Sequence, residues 1–360
     1  MNVEAKKLIL QRCGAIFENT MQLKCYESHF QEVAEVEGLT KALDDLVEWH
    51  RDPDGGAFSS HCHEVLHGLG VGAMEEAENE AERISVFTNS RVTCTGGYVH
   101  GALTKYYEKL GSEYVMKNYE TVCSTLVDSV SAALGADSDS TGWLSWNCNH
   151  MLGHAIYNAS TNDLPAGAEK CGIFEANSDQ RLGCEAGFYM EHYLVMGRTV
   201  GEGYAKADTV EQVHALCRAV DEKVARGCWS ESGGMVYIHS NREWGRAGES
   251  CRAQATKPEF LEACYEGLGR NIAPYAGYEP EQMAVWCGEI GDGFAKETCI
   301  IQVAGSQAME LDKVESGVRM CNDHVVDPER LNRCIQSVQR IDDQIDDSGF
   351  GGGIGVWDRS

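Results

Sequence analysis

Proline is scarce, at six in 360 residues, and strict alternation of apolar and polar residues is rare, so little in the chain argues for strands or strand-rich folds. No Cys-x-x-Cys occurs, which removes the signature of a zinc ribbon, a thioredoxin-type centre and a c-type haem attachment. No run of 18 apolar residues is present, so no span of a membrane is expected. Basic residues form no cluster and the net charge is −26, which speaks against nucleic acid or anionic lipid as a partner. Nucleophile elbow, phosphate loop and dinucleotide fingerprint are all missing. The first 20 residues show no apolar segment followed by a small-residue cleavage site.

Cysteine, by contrast, is abundant. Sixteen fall as consecutive pairs: Cys13/Cys25, Cys62/Cys94, Cys123/Cys148, Cys171/Cys184, Cys217/Cys228, Cys251/Cys264, Cys287/Cys299 and Cys321/Cys334. Six pairs have 10 to 12 residues between partners, and Cys217, Cys251, Cys287 and Cys321 start modules 34 to 36 residues apart. An even count at regular spacing favours disulfides over metal thiolates, and disulfides favour a secreted, periplasmic or extracellular protein. The chain is then expected to be a mature or trimmed exported domain, or to come from a cell interior that tolerates disulfides. A dozen residues hold half a helix, a turn and half a helix, which sets two sulfurs opposite each other in a helical hairpin. The predicted fold is therefore all-α: about eight disulfide-stapled hairpins in a solenoid or closed toroid-like array. Residues 1–165 form its irregular part, 166–345 its regular part and 346–360 a glycine-rich tail.

With one cysteine per helix, as in Cys251/Cys264 and Cys287/Cys299, and a period near 35 residues, residues 171–340 resemble the cysteine-rich Sel1-like, tetratricopeptide-related repeats. The resemblance implies stacked helical hairpins and transfers no functional residue. The alanine and leucine-glycine consensus of Sel1 repeats is absent.

Seven of the twelve histidines lie between positions 61 and 192. His63/His67 and His150/His154 are His-x-x-x-His pairs, which on a helix put both imidazoles on one face and suit a metal ion. His100 and His154 each follow a cysteine by six residues, and His150 lies about 40° from His154 around a helix, so the three are expected to form a column. Met190 continues that register, flanked by Glu191 and His192. The expected ligands are His100, His150 and His154, then His63, His67 and His192. The expected cofactor is a transition metal (zinc, copper or iron), with Glu64 or Glu191 moving protons.

His63-Glu64-Val65-Leu66-His67 also meets the zincin pattern, but Ala73 stands where a metzincin needs its third histidine. Asp137, Asp139 and Thr141 begin like a calcium loop whose twelfth position is Cys148. Gly97, Gly187 and Gly267 each follow a cysteine by three residues, a repeated cost of about 1 kcal/mol inside a helix that implies close helix packing or a ligand cleft. Tyr98, Tyr157, Tyr189 and Tyr193 read as core. The competing reading is a non-catalytic scaffold that binds a protein or glycan and whose histidines are structural.

Overall fold

The cysteine pairs organise the chain as their spacing implies. In the structure, a computed structural model, all eight consecutive pairs are joined as disulfides, with Cα atoms 5.3 Å apart at Cys217–Cys228 and 5.8 Å apart at Cys321–Cys334. The structure describes residues 3–16, 19–51, 58, 61–88, 94–135, 142–160, 162–176, 178–197, 209–311 and 313–348. The Asp137–Thr141 stretch and the tail from Gly349 lie outside them.

Among the described residues every regular element is helical. In chain order the α-helices are α1 (Val3–Gly14), α2 (Asn19–Glu37), α3 (Leu39–Arg51), α4 (Cys62–Glu76), α5 (Glu80–Thr88), α6 (Gly97–Leu110), α7 (Ser112–Lys117), α8 (Val122–Leu134), α9 (Gly142–Ala159), α10 (Leu164–Glu169) and α11 (Asp179–Gly197). The remainder are α12 (Val210–Val213), α13 (Ala215–Ala219), α14 (Glu222–Glu231), α15 (Gly233–His239), α16 (Trp244–Gln254), α17 (Pro258–Tyr275), α18 (Pro280–Ile290), α19 (Phe294–Leu311), α20 (Val314–His324) and α21 (Pro328–Ser348). No described helix is long and apolar enough to cross a membrane.

Two compact units are present. The described residues of Met1–Ser112, Ser124–Asn147 and Gln344–Gly353 form the first, and those of Glu113–Cys123 and Cys148–Asp343 the second. The first unit is centred on aromatic rings: Trp49 meets Phe30 edge to face at 4.9 Å, and Tyr26 meets Phe58 at 5.1 Å. Such pairs add about 0.5–1.5 kcal/mol each beyond the area they bury.

In the second unit the local sequence explains where helices begin. Pro258 and Pro280 occupy the first turns of α17 and α18, where a missing N–H costs nothing. The Asp221 carboxylate accepts from the Lys223 N–H at 2.8 Å to start α14.

Glycine decides how closely the helices approach, and the same reciprocal notch occurs three times. A Cβ on Gly101 would lie 2.0 Å from the His67 carbonyl oxygen, and one on Gly70 an equal 2.0 Å from that of Tyr98. Gly187 and Gly153 meet the carbonyls of His150 and Cys184 at 1.7 and 2.2 Å, and Gly267 meets that of Ser230 at 2.0 Å while Gly233 faces Gly267. No side chain fits at those distances, so α4 crosses α6, α9 crosses α11 and α15 crosses α17 backbone to backbone. Gly97 adds a further contact of this kind, 2.3 Å from the His63 carbonyl. The glycines that follow cysteines by three residues thus serve close packing.

A buried charge ladder joins helices of the second unit. Arg226 of α14 gives two hydrogen bonds of 2.8 Å to Glu266 of α17, which is only 2 % exposed. Arg333 of α21 binds Glu262 at 3.1 Å, and Arg181 binds Glu185 at 2.8 Å within α11. Burial raises the carboxyl pKa of both Glu185 and Glu266, opposed by Arg181 and Arg226 respectively.

Candidate functional site

The glycine notches bring histidines together in two places. In the first unit, α4 supplies His63 and His67 and α6 supplies His100. The His63 ring lies 5.3 Å from that of His100 and 6.4 Å from that of His67. His63 Nδ1 is 2.9 Å from the Cys94 carbonyl oxygen. An oxygen there accepts, so the proton sits on Nδ1 and the lone pair on Nε2. His100 is buried, with 9 % of its surface exposed, and its backbone carbonyl accepts from the Thr104 hydroxyl at 2.8 Å. Glu64 follows His63 on α4 but is exposed, and its charge acts on Glu27, whose pKa is raised by burial first and then by Glu64.

In the second unit, α9 supplies His150 and His154 and α11 supplies Glu191. The two Nε2 atoms face each other at 3.2 Å, and His154 Nδ1 lies 2.8 Å from Glu191 Oε2. The carboxylate accepts the Nδ1 proton of His154, so the Nε2 lone pair of His154 points at His150. His150 is 1 % exposed, whereas His154 and Glu191 are half-buried. The notch between Gly153 and Gly187 makes this reach short, because α11 approaches α9 beside His150 itself.

His192, next along α11, is turned to a different neighbour: its Nδ1 lies 3.4 Å from the Tyr157 hydroxyl. Burial lowers its pKa to about 4, so it is neutral at pH 7. Met190 is 39 % exposed.

Of the residues expected as ligands, His63, His67 and His100 gather in one unit and His150 and His154 in the other, where Glu191, expected to move protons, joins them while His192 faces Tyr157. The register differs from the cysteine count. Measured from the notches, His67 corresponds to His150, since each gives its carbonyl to the facing glycine. Measured from the cysteines, His100 corresponds to His154. The two rulers disagree because α4 and α6 touch at two successive turns: Gly97, three residues after its cysteine as Gly187 is, meets the His63 carbonyl, and Gly101, one turn on, meets that of His67.

Two features were invisible at the level of motif. Among the described residues, one group of three has donor atoms all within 4.8 Å of one another: His50, Cys62 and Cys94. Cys62 and Cys94 are bonded to each other, so this group offers one imidazole and no thiolate, the form in which cysteine binds metals. The second feature is His214, fully buried, whose Nε2 is 3.1 Å from Ser232 Oγ and whose ring lies 4.2 Å from Trp229. Burial, with a smaller push from Arg218, lowers its pKa to about 3. Tyr98, Tyr157, Tyr189 and Tyr193 are all buried, and the Tyr98, Tyr189 and Tyr193 hydroxyls donate to the carbonyls of Val86, Val224 and Val213.

A disulfide-rich, all-helical protein with two histidine clusters is what the chain presents. No family model, no curated protein and no solved structure matches it.

Proposed function

We propose that this is an exported metal-binding protein whose principal centre is the pair His150 and His154, oriented by Glu191. One observation carries the reading. Two imidazole Nε2 atoms 3.2 Å apart match an edge of a tetrahedral zinc site, about 3.3 Å for Zn–N bonds of 2.0–2.1 Å. The remote nitrogen of His154 is held by a carboxylate, the arrangement that fixes tautomer and ring orientation in metal-binding histidines.

Imidazole donors suit zinc, copper or iron. Two protein ligands leave further coordination positions for water or a small molecule, and Glu191 lies close enough to hold a proton there. His63, His67 and His100 form a second candidate centre in the first unit. Eight disulfides support export, because they persist in oxidising compartments. The 35-residue spacing of the later modules supports a hairpin repeat array of the cysteine-rich Sel1-like kind.

The test is elemental analysis of protein purified without chelator, with a competition titration against a chromophoric zinc chelator. Wild type is expected to hold one tightly bound ion that the His150→Ala/His154→Ala variant lacks. Absence of stoichiometric zinc, copper or iron from wild type, or unchanged content in the double variant, would overturn the assignment.

A further inference from the structure

The second unit also carries a surface cleft of about 470 Å³ that the metal reading does not use. Its volume falls within the range of small-ligand sites, roughly 300–1,000 Å³. Half-buried Tyr237 of α15 and Trp286 of α18 line it, with exposed Arg242, Glu243, Arg246 and Glu289 around them.

The aromatic part is a platform. Tyr237 lies parallel to buried Trp244, with ring centroids 3.8 Å apart and planes 16° apart, so each covers a face of the other. Trp286 packs 5.8 Å from Trp244, and Tyr275, 56 % exposed, packs 5.2 Å from Tyr237. A cage for a quaternary ammonium needs ring faces that converge on an empty point. Here Tyr237 and Trp244 close against each other, and no such point lies between them. The ring surface that remains suits a flat apolar face.

The rim is polar and planar. Glu243 and Arg246 form an ion pair at 2.8 Å. Arg242 has no ion-pair partner among the described residues, although the chain carries 56 acidic residues against 30 basic. Arg242 and Glu289 both lie near the Tyr237 hydroxyl: its pKa is raised by burial, then by Tyr275, and the charges of Arg242 and Glu289 act on it in opposite senses.

The backbone holds Arg242 at the rim at a cost. Asn241 and Arg242 follow α15 with φ of +60° and +59°, and the Arg242 N–H donates to the Tyr237 carbonyl at 3.0 Å. After α17, one hairpin later, Gly277 and Tyr278 adopt the same conformation with the same bond, from the Tyr278 N–H to the Ala273 carbonyl. Glycine fills the first left-handed position there; in the cleft loop neither residue is glycine. Left-handed non-glycine residues gather where function fixes a side chain.

A sugar ring has the chemistry to fit: an apolar C–H face for the platform and hydroxyl edges for planar carboxylates and guanidinium groups. The unpaired guanidinium adds a place for a carboxylate, which it binds in a bidentate manner. We propose that this cleft binds an acidic pyranoside, a uronic acid unit of an oligosaccharide, stacked on Trp286 and Tyr237 with its carboxylate on Arg242. The site is separate from the histidine centre and does not depend on it.

The test titrates the full chain in EDTA-containing buffer with tetragalacturonate and with the neutral tetramer cellotetraose, read by indole fluorescence and indole N–H resonances. Wild type is expected to bind the acidic tetramer saturably and the neutral one more weakly. Trp286→Ala is expected to abolish the response. Arg242→Ala, at an exposed position where the fold is not at risk, is expected to weaken acidic binding about ten-fold, to the level of the neutral sugar. The His150→Ala/His154→Ala variant should bind as wild type does. No response to either sugar, a response unchanged in Trp286→Ala, or equal affinity for both sugars in wild type would overturn the proposal.

Discussion

Glu191 is the side chain that tests the histidine pair without removing a ligand. Its carboxylate accepts from His154 Nδ1 at 2.8 Å, which keeps the Nε2 lone pair directed at His150. Carboxylates in this role typically contribute about ten- to a hundred-fold in metal affinity. Glu191→Gln, which keeps an acceptor but loses the charge, is expected to weaken zinc binding by about ten-fold, and Glu191→Ala by up to about a hundred-fold, in chelator competition. Equal affinity in all three proteins would mean that the ion is held elsewhere. Arg242 offers the opposite kind of test. Its left-handed backbone is a cost of roughly 1–2 kcal/mol that glycine would not bear. Arg242→Gly should therefore raise the melting temperature while removing the preference for an acidic sugar.

At the level of elements, the glycine notches and the charge ladder set how helices meet. Gly267→Ala would force a methyl group to within 2.0 Å of the Ser230 carbonyl oxygen, where only backbone could yield. It should cost about 3 kcal/mol or more, as overpacking against a rigid neighbour does. Gly288, exposed near the end of α18 with no atom within 4 Å of its Cβ position, provides the contrast. Gly288→Ala should stabilise by about 0.4–1 kcal/mol through lower chain entropy in the unfolded state. Urea melts of the two variants check both signs. Arg226→Ala would leave Glu266 short of its principal partner and should cost about 2–3 kcal/mol, less than the ~3–5 typical of a fully buried pair because the Arg226 side chain is still 35 % exposed.

The helices, the staples and the glycine positions were legible in the sequence, because each depends on local spacing: 12 residues for Cys287–Cys299, three for Cys264 to Gly267. Arg226–Glu266 was not, since its partners are 40 residues apart and neither belongs to a motif. The aromatic cleft was equally hidden, as its rings come from four different helices. The contacts His63–His100 and His154–Glu191 were not legible either, because each joins two helices and counting along the chain from a cysteine does not say which faces of neighbouring helices meet.

The whole molecule responds to acid through groups of opposite sign. Burial lowers the pKa of His29, His61, His192 and His214, so each folds in its neutral form. Burial raises the pKa of Glu185 and Glu266, so protonation of these two favours the folded chain as pH falls. With a net charge of −26, neutralising carboxylates also relieves repulsion. A plain stability curve mixes all three effects, and a single substitution separates one. His214 has a folded pKa of about 3 against an ordinary value of 6.5, and it is fully buried. Its stabilisation is complete above pH 6.5 and is lost as pH falls from 6.5 towards 3, because the unfolded imidazole takes up a proton that the folded one refuses. The lost stability approaches about 5 kcal/mol in order of magnitude. In His214→Gln, where the amide can still reach Ser232, that loss should vanish while the carboxylate and net-charge effects persist. The difference in unfolding free energy between wild type and variant should then shrink by about 1.4 kcal/mol per pH unit below 6.5. Urea denaturation of both proteins from pH 7.5 to 4 measures it, and a difference independent of pH would show that His214 is not held neutral in the core.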